Sequence, residues 1–94
     1  MSKENLKLVS VLDSFKSEAE KMSYLADCVY EHKPISKTDL RKGYVFCNDW
    51  IEHCVRCYWG NYYENNDPKV RAEILEDLVF TTTLKLDLEK KILK

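Results

Sequence analysis

The chain has 94 residues and a net charge of −1, and 45% of its residues are hydrophobic and 33% charged. A chain of this length forms one domain over 1–94, with a small core that association with another chain would supplement. Two Gly and two Pro are too few for a turn-rich β protein, so the composition favours an all-α fold. A charge near zero argues against a general nucleic-acid binder.

No segment has the composition of a secretory signal or a membrane span. Residues 1–12 read MSKENLKLVSVL, in which charged residues interrupt the apolar ones. Nowhere do about eighteen apolar residues follow one another. We therefore predict a soluble cytoplasmic protein with no membrane contact, and we expect its four cysteines to be reduced thiols.

The first apolar pattern predicts a helix over about 3–32. From Leu8 to Val29 the apolar residues recur in alternating steps of four and three, a spacing typical of a packed helix. Ser2 is placed to cap its start. Pro34 disfavours helical geometry in the residue before it, which sets the end.

The second predicted helix covers 37–63. Ser36 and Asp39 have the spacing of a capping box. From Leu40 to Tyr58 the apolar residues again recur in steps of four and three, and Gly43 within this run is expected to allow close contact with another helix.

The third predicted helix covers 68–93, with Asp67 as its cap and Pro68 as its first residue. Residues 79–88, VFTTTLKLDL, alternate like a strand, but a lone strand would leave its backbone groups unpaired, so we expect helix there. Three helices joined by short turns predict an antiparallel three-helix bundle of the coiled-coil kind that self-associates.

Two Cys/His pairs, Cys28 with His32 and His53 with Cys57, have the spacing that turns two zinc ligands to one helix face. Along the folded bundle the pairs lie roughly 18 Å or more apart at ~1.5 Å per residue, so one zinc cannot bind both pairs of one chain. We predict no metal and no cofactor, and a zinc held between two chains is the alternative. The CVRC motif from Cys54 to Cys57 lies mid-helix, where nothing lowers a thiol pKa, so no redox role is expected.

Three acidic residues, Glu73, Glu76 and Asp77, open the third helix. Small all-helical nucleotide pyrophosphatases bind magnesium with carboxylates at helical spacing, but the paired pattern EExxE is missing here. The helix dipole favours acidic residues in a first turn in any case. A metal-dependent hydrolase is the least favoured function, and we predict a protein that is not an enzyme and has no catalytic residue.

Seven of the eleven aromatic residues lie between Tyr44 and Tyr63. They do not share one helix face, so two neighbouring helices cannot cover them all. Exposed Tyr and Trp residues are typical of binding hot spots. We predict a protein-interaction module of the regulator or inhibitor kind, a homodimer that binds itself or another protein. The predicted interface residues are Phe46, Trp50, Trp59, Tyr62 and Tyr63.

Positive charge concentrates in 31–42 and 85–94, each with four Lys or Arg against two Asp or Glu. These stretches meet at one end of an antiparallel bundle. A nucleotide or nucleic acid held there, stacked on Tyr30 and Tyr44, is the alternative function. It is less favoured because no Gly-rich phosphate loop accompanies the charges. The weak anion-binding residues are predicted to be Lys33, Lys37, Arg41, Lys42, Lys90 and Lys91, with Lys94 beside them.

Overall fold

The computed structural model describes residues 10–94 and is all-α, as predicted. Its three α-helices are α1 (Glu18–Tyr30), α2 (Lys37–Gly60) and α3 (Pro68–Leu93). A 3-10 turn (Leu12–Ser14) precedes α1, and a π-helical turn (Asn61–Asn65) continues α2. No helix within residues 10–94 has the length and apolar character needed to cross a membrane.

The predicted first helix over 3–32 is wrong in its length, and the predicted cap at Ser2 lies outside the described residues. Phe15 has extended backbone (φ −83°, ψ 141°) and separates the 3-10 turn from α1. Ser17 then starts a new helix, because its hydroxyl oxygen accepts the Glu20 N–H at 3.1 Å, while the hydroxyl itself donates to the Glu20 carboxylate at 3.0 Å. The bond from the Glu20 N–H is an N-cap hydrogen bond. The first helix is therefore about half as long as predicted.

A tight reversal joins α1 to α2. His32 takes left-handed backbone (φ 56°) after the end of α1. Ser36 caps α2 as predicted, and its hydroxyl oxygen accepts the Asp39 N–H at 3.1 Å. The chain consequently turns back on itself within six residues, and α1 and α2 are antiparallel neighbours.

The turn between α2 and α3 is organised around Asn61, a buried side chain. Its side-chain oxygen accepts the Asp67 N–H at 3.0 Å and an Arg71 guanidinium N–H at 3.2 Å. Asn66 takes left-handed backbone (φ 49°), which Asn tolerates well. Asp67 caps α3 through the Lys69 N–H at 3.0 Å. The predicted third helix over 68–93 is confirmed, including the segment that alternates like a strand.

The core forms where all three helices meet. Gly43 lies against Leu25, and a Cβ built on Gly43 would come within 2.6 Å of a Leu25 methyl carbon. The predicted close helix contact at Gly43 is therefore confirmed. The buried apolar residues of this core are Leu12, Leu25, Val29, Leu40, Cys47, Leu84 and Leu88.

Residues 10–14 return to the start of α2. The buried carboxylate of Asp39 accepts a hydrogen bond from the Ser10 hydroxyl and one from the Val11 N–H at 3.2 Å. Leu12, 2% exposed, then enters the core. Asp39 thus holds residues 10–14 against the first turn of α2, at the end of the molecule where α1 also packs.

The antiparallel hairpin of α2 and α3 extends beyond α1. The Tyr44 hydroxyl donates to Glu89 at 3.0 Å at one end, and Asn61 contacts Arg71 at the other. With 13 residues α1 is about 20 Å long, whereas α3 with 26 is about 39 Å. Within residues 10–94, the hairpin tip (residues 55–76) therefore consists of two helical layers. The molecule measures 52 × 28 × 19 Å.

Candidate interaction surface

Trp59, Tyr62 and Tyr63 form an aromatic cluster at the hairpin tip, which we call the tip cluster. These side chains are 49%, 48% and 77% exposed. The Trp59 and Tyr62 ring centroids lie 5.7 Å apart and those of Tyr62 and Tyr63 lie 5.2 Å apart, both edge to face. Each ring is thus held by its neighbours while its outer surface faces solvent.

Local structure explains why these three rings meet. Residues three and four apart share a helix face, and the π-helical turn keeps Tyr62 and Tyr63 close to Trp59. The Arg71 guanidinium carbon lies 5.3 Å from the centre of the Tyr62 ring. Because Asn61 and Asn66 both accept hydrogen bonds from Arg71, the cation is fixed beside the cluster. The surface is aromatic, with a positive charge at its edge.

The structure separates Phe46 and Trp50 from the tip cluster. Both are half-buried beside α1, and Trp50 lies about 13 Å along α2 from Trp59 at ~1.5 Å per residue. The Lys21 ammonium lies 5.8 Å from the centre of the Phe46 ring, and the Trp50 and His53 ring centroids are 5.0 Å apart. The five predicted interface residues therefore belong to two surfaces.

The predicted basic pole is assembled in part. Lys37 and Arg41 of α2 and Lys91 and Lys94 at the end of α3 line one cavity of about 560 Å³. None of these four forms an ion pair within residues 10–94. Ile35, Leu40 and Ile92 supply apolar walls.

The other predicted basic residues have carboxylate neighbours. Lys33 lies 3.8 Å from both Asp27 and Glu31, Lys90 lies 3.8 Å from Asp87, and Lys42 pairs with Asp13. The two tyrosines expected to stack a base are also engaged, since Tyr30 donates to Asp87 and Tyr44 to Glu89. Neither tyrosine lines the cavity of the basic pole.

The Cys and His residues are arranged in only one close pair. The Cys57 sulfur lies 3.4 Å from His53 Nε2 on the surface of α2. Cys28 instead turns its sulfur toward the Pro34 carbonyl oxygen at 3.9 Å, and His32 lies beyond the end of α1. Cys28 and His32 therefore do not share a helix face, although their four-residue spacing predicted that they would.

The thiols inside the bundle have the character of small apolar side chains. All four cysteines are free. Burial raises the pKa of the Cys47 thiol to about 11 and also raises the pKa of Cys54. Both thiols are consequently protonated at neutral pH.

Glu73, Glu76 and Asp77 are exposed side chains on the second and third turns of α3. The first turn has no acidic residue, so the prediction that they form an acidic first turn is wrong. Within residues 10–94 no three His, Cys, Asp or Glu side chains form a cluster suited to a metal ion.

Sequence reasoning missed a second exposed surface, on the outer side of α3. Leu75, Val79 and Leu86 are all exposed there. Leu75 and Val79 lie four residues apart and Leu86 lies seven residues further on, a spacing that places all three on one side of a helix and was a readable signal.

The protein is all-α, and its short helix α1 covers about half the length of the hairpin formed by α2 and α3. No protein-family model, curated protein or solved structure matches the chain.

Proposed function

We propose that this chain is a small non-catalytic protein-interaction module, of the regulator or inhibitor kind, that binds another protein through the tip cluster. The observation that carries the proposal is the set of three mutually contacting aromatic rings, each about half exposed or more, beyond the reach of α1. Clustered Trp and Tyr residues dominate the energetics of many interfaces. A surface of this kind on a small protein indicates a partner.

The tip cluster also has the rigidity that favours tight binding. Trp and Tyr lose little conformational freedom on association, and ring contacts already restrict Trp59 and Tyr62. Arg71, held beside Tyr62, favours a carboxylate on the partner next to an apolar groove. We therefore expect the partner to present an apolar groove bordered by acidic side chains.

Replacement of Trp59 by Ala tests the proposal. Because Trp59 is half exposed, Trp59→Ala should leave the thermal melt of the free protein nearly unchanged. Loss of a hot-spot ring should weaken partner binding by more than about 2 kcal/mol. A fully buried Trp would instead cost roughly 3–5 kcal/mol of folding stability when truncated. Proteins captured from the native host by the unmodified chain identify the partner, and calorimetric titration then measures each variant.

Val45→Ala is the matched control, because Val45 is 56% exposed on α2 but lies outside the tip cluster. It should bind the partner like the unmodified chain. Equal binding by Trp59→Ala and Val45→Ala, or a collapse of the fold in Trp59→Ala, would contradict the proposed interface.

A second candidate function is binding of a phosphate-bearing ligand, a nucleotide or a nucleic acid, at the basic pole. The observation that favours it is the cavity of about 560 Å³ lined by Lys37, Arg41, Lys91 and Lys94. Titration of the chain with ATP should then show binding that weakens steeply between about 50 and 200 mM salt. Binding that survives in Arg41→Ala or is insensitive to salt would count against this site.

A further inference from the structure

Helix α3 has two apolar faces. Its inner face contributes Leu84 and Leu88 to the core. Its outer face has a second set of residues that recur in steps of three and four over three heptads. This outer seam consists of Ala72, Leu75, Val79, Thr82, Leu86, Glu89 and Leu93. The four large apolar members are between 44% and 79% exposed.

The outer seam has the length and spacing of a coiled-coil interface. Twenty-one helical steps extend about 32 Å, and a 3.5-residue repeat keeps one stripe facing a partner helix along that length. The seam borders an open groove of about 530 Å³ lined by Leu75, Val79 and Phe80. The α1 and α2 helices pack mainly against the opposite side of α3. Thr82 and Glu89 at the border of the seam are half-buried, and Glu89 accepts a hydrogen bond from Tyr44 of α2, whereas the four large apolar residues are accessible to another helix.

The charges beside the seam indicate which helix fits. Glu76 and Lys90 flank the seam on the same side, and each lies seven residues from Thr83. When two copies of α3 lie antiparallel about a two-fold axis, flanking residues of the same side face each other. In the register that sets Leu75 opposite Leu86 of a second copy, the two-fold axis lies between residues 80 and 81. Because helical side chains lean toward the helix N-terminus, the long Glu76 side chain then meets Lys90 of that copy, and Lys90 meets its Glu76.

The same alignment also matches the seam residues themselves. Leu75 lies opposite Leu86 of the second copy, and Val79 lies opposite its Thr82. By symmetry each of these layers occurs twice. Glu89 lies opposite Ala72 of the other copy at each end of the interface, where water reaches the carboxylate. The flanking residues on the other side of the seam, Arg71 and Lys85, are turned to α2, where Arg71 donates to Asn61 and Asn66 and the Lys85 ammonium lies 5.4 Å from the centre of the Tyr44 ring. In a parallel pair Glu76 and Lys90 would therefore face no free charge of the second copy.

We propose that the outer seam of α3 is a self-association surface, at which α3 pairs antiparallel with α3 of a second copy of this chain. The dimer carries two Glu76–Lys90 ion pairs, two Leu75–Leu86 layers and two Val79–Thr82 layers. Its antiparallel arrangement places the two tip clusters at opposite ends, so both stay accessible. The surface is separate from the tip cluster, and dimer formation does not depend on the proposed function.

Leu86→Glu tests the apolar part of this interface by sedimentation velocity over a range of protein concentrations. The unmodified chain should sediment as a dimer at micromolar concentration. Two buried carboxylates per dimer should weaken association by roughly 100-fold or more. Val45→Glu adds the same charge at a comparably exposed site on α2 and should leave the dimer intact. An unmodified chain that stays monomeric overturns the proposal, as does a dimer that persists in Leu86→Glu.

Charge exchange tests the antiparallel arrangement. Glu76→Lys and Lys90→Glu should each weaken the dimer by roughly tenfold, because each places two like-charge pairs at the interface. The double variant Glu76→Lys with Lys90→Glu should restore association. Lys90 is highly exposed and only loosely paired with Asp87, so the melting of the monomer should not change. Lys90→Glu that strengthens the dimer, or a double variant that does not recover, overturns the antiparallel pairing.

The two proposals fail in distinguishable ways. Loss of the dimer with retained Trp59-dependent partner binding contradicts only the self-association surface. Loss of Trp59-dependent binding with an intact dimer contradicts only the tip cluster.

Discussion

The two glycines, both in helical backbone, respond differently to a methyl group. At Gly43 a Cβ would lie 2.6 Å from a methyl carbon of Leu25, a side chain that is fully buried. Gly43→Ala gains about 1 kcal/mol of helix propensity but crowds a packed core, which typically costs about 1–3 kcal/mol. We expect net destabilisation in urea unfolding.

Gly60→Ala is the matched comparison. Apart from its chain neighbours and the backbone of its own helix, no atom lies within 4 Å of a Cβ at Gly60, and its backbone (φ −59°, ψ −45°) is helical. The substitution should therefore raise the free energy of unfolding by about 0.5–1 kcal/mol. Stabilisation by both alanines would show that Leu25 moves aside without cost and that Gly43 is not needed for the α1–α2 contact.

The buried Cys47 thiol makes stability depend on alkaline pH. Its pKa is raised by burial from 9.0 to about 11, so the unfolded chain loses this proton first. The contribution of the protonated thiol is fully present below pH 9 and is lost as the pH rises toward about 11. Burial raises the pKa of Tyr24 as well, which acts in the same direction. Urea unfolding across this range should show falling stability, with a shallower fall in Cys47→Ala.

At the scale of elements, one carboxylate attaches the segment before α1 to α2. Asp39 is 1% exposed and accepts hydrogen bonds from the Ser10 hydroxyl and the Val11 N–H. Asp39→Ala leaves these two donors, and the Tyr24 hydroxyl that donates to the same carboxylate at 3.4 Å, without this acceptor and should cost about 2–3 kcal/mol. Hydrogen exchange should show faster exchange of the Val11 N–H in the variant.

The control for Asp39→Ala is Asp49→Ala, because Asp49 is an exposed carboxylate on the same helix. It should change stability by less than about 0.5 kcal/mol. Unchanged protection of the Val11 N–H in Asp39→Ala would mean that Leu12 alone holds the segment in place.

Helix α3 could be predicted from the sequence, whereas the start of α1 could not be found from apolar spacing. Asp67 and Pro68 mark the first residue of α3 through backbone chemistry, and the structure has the same boundary. Before α1, Leu12 and Phe15 keep the helical spacing although they lie in a 3-10 turn and an extended residue. The spacing of apolar residues indicates which side chains reach the core, but it does not indicate the backbone conformation of those residues. The capping signal of Ser17 with Glu20 was present in the sequence and was overlooked.

At the scale of the whole molecule, the short first helix determines which predicted site residues are exposed. The sequence predicted a first helix of about thirty residues, long enough to cover the hairpin. Instead, Ser10 and Leu12 return to the start of α2, and among residues 10–94 the tip has two helical layers. The exposure of Trp59 and Tyr63 and the half-burial of Phe46 both follow from this long-range contact. The periodicity of apolar residues along the chain does not predict this contact between residues 10–12 and the start of α2.

The same asymmetry should appear as a gradient of local stability along the hairpin. Around Leu84 and Leu88 three helices enclose the backbone, and these side chains are fully buried. In 55–76 the large apolar side chains are mostly exposed, so a local opening there loses less apolar burial. Native-state hydrogen exchange should therefore be at least about tenfold faster for amides of the tip than for those of the core. Asn61→Ala, which removes the acceptor for Asp67 and Arg71, should speed exchange at the tip and leave the Leu84 region unchanged. Uniform protection along α2 and α3 in the dilute monomer would instead show that the hairpin opens as a single unit.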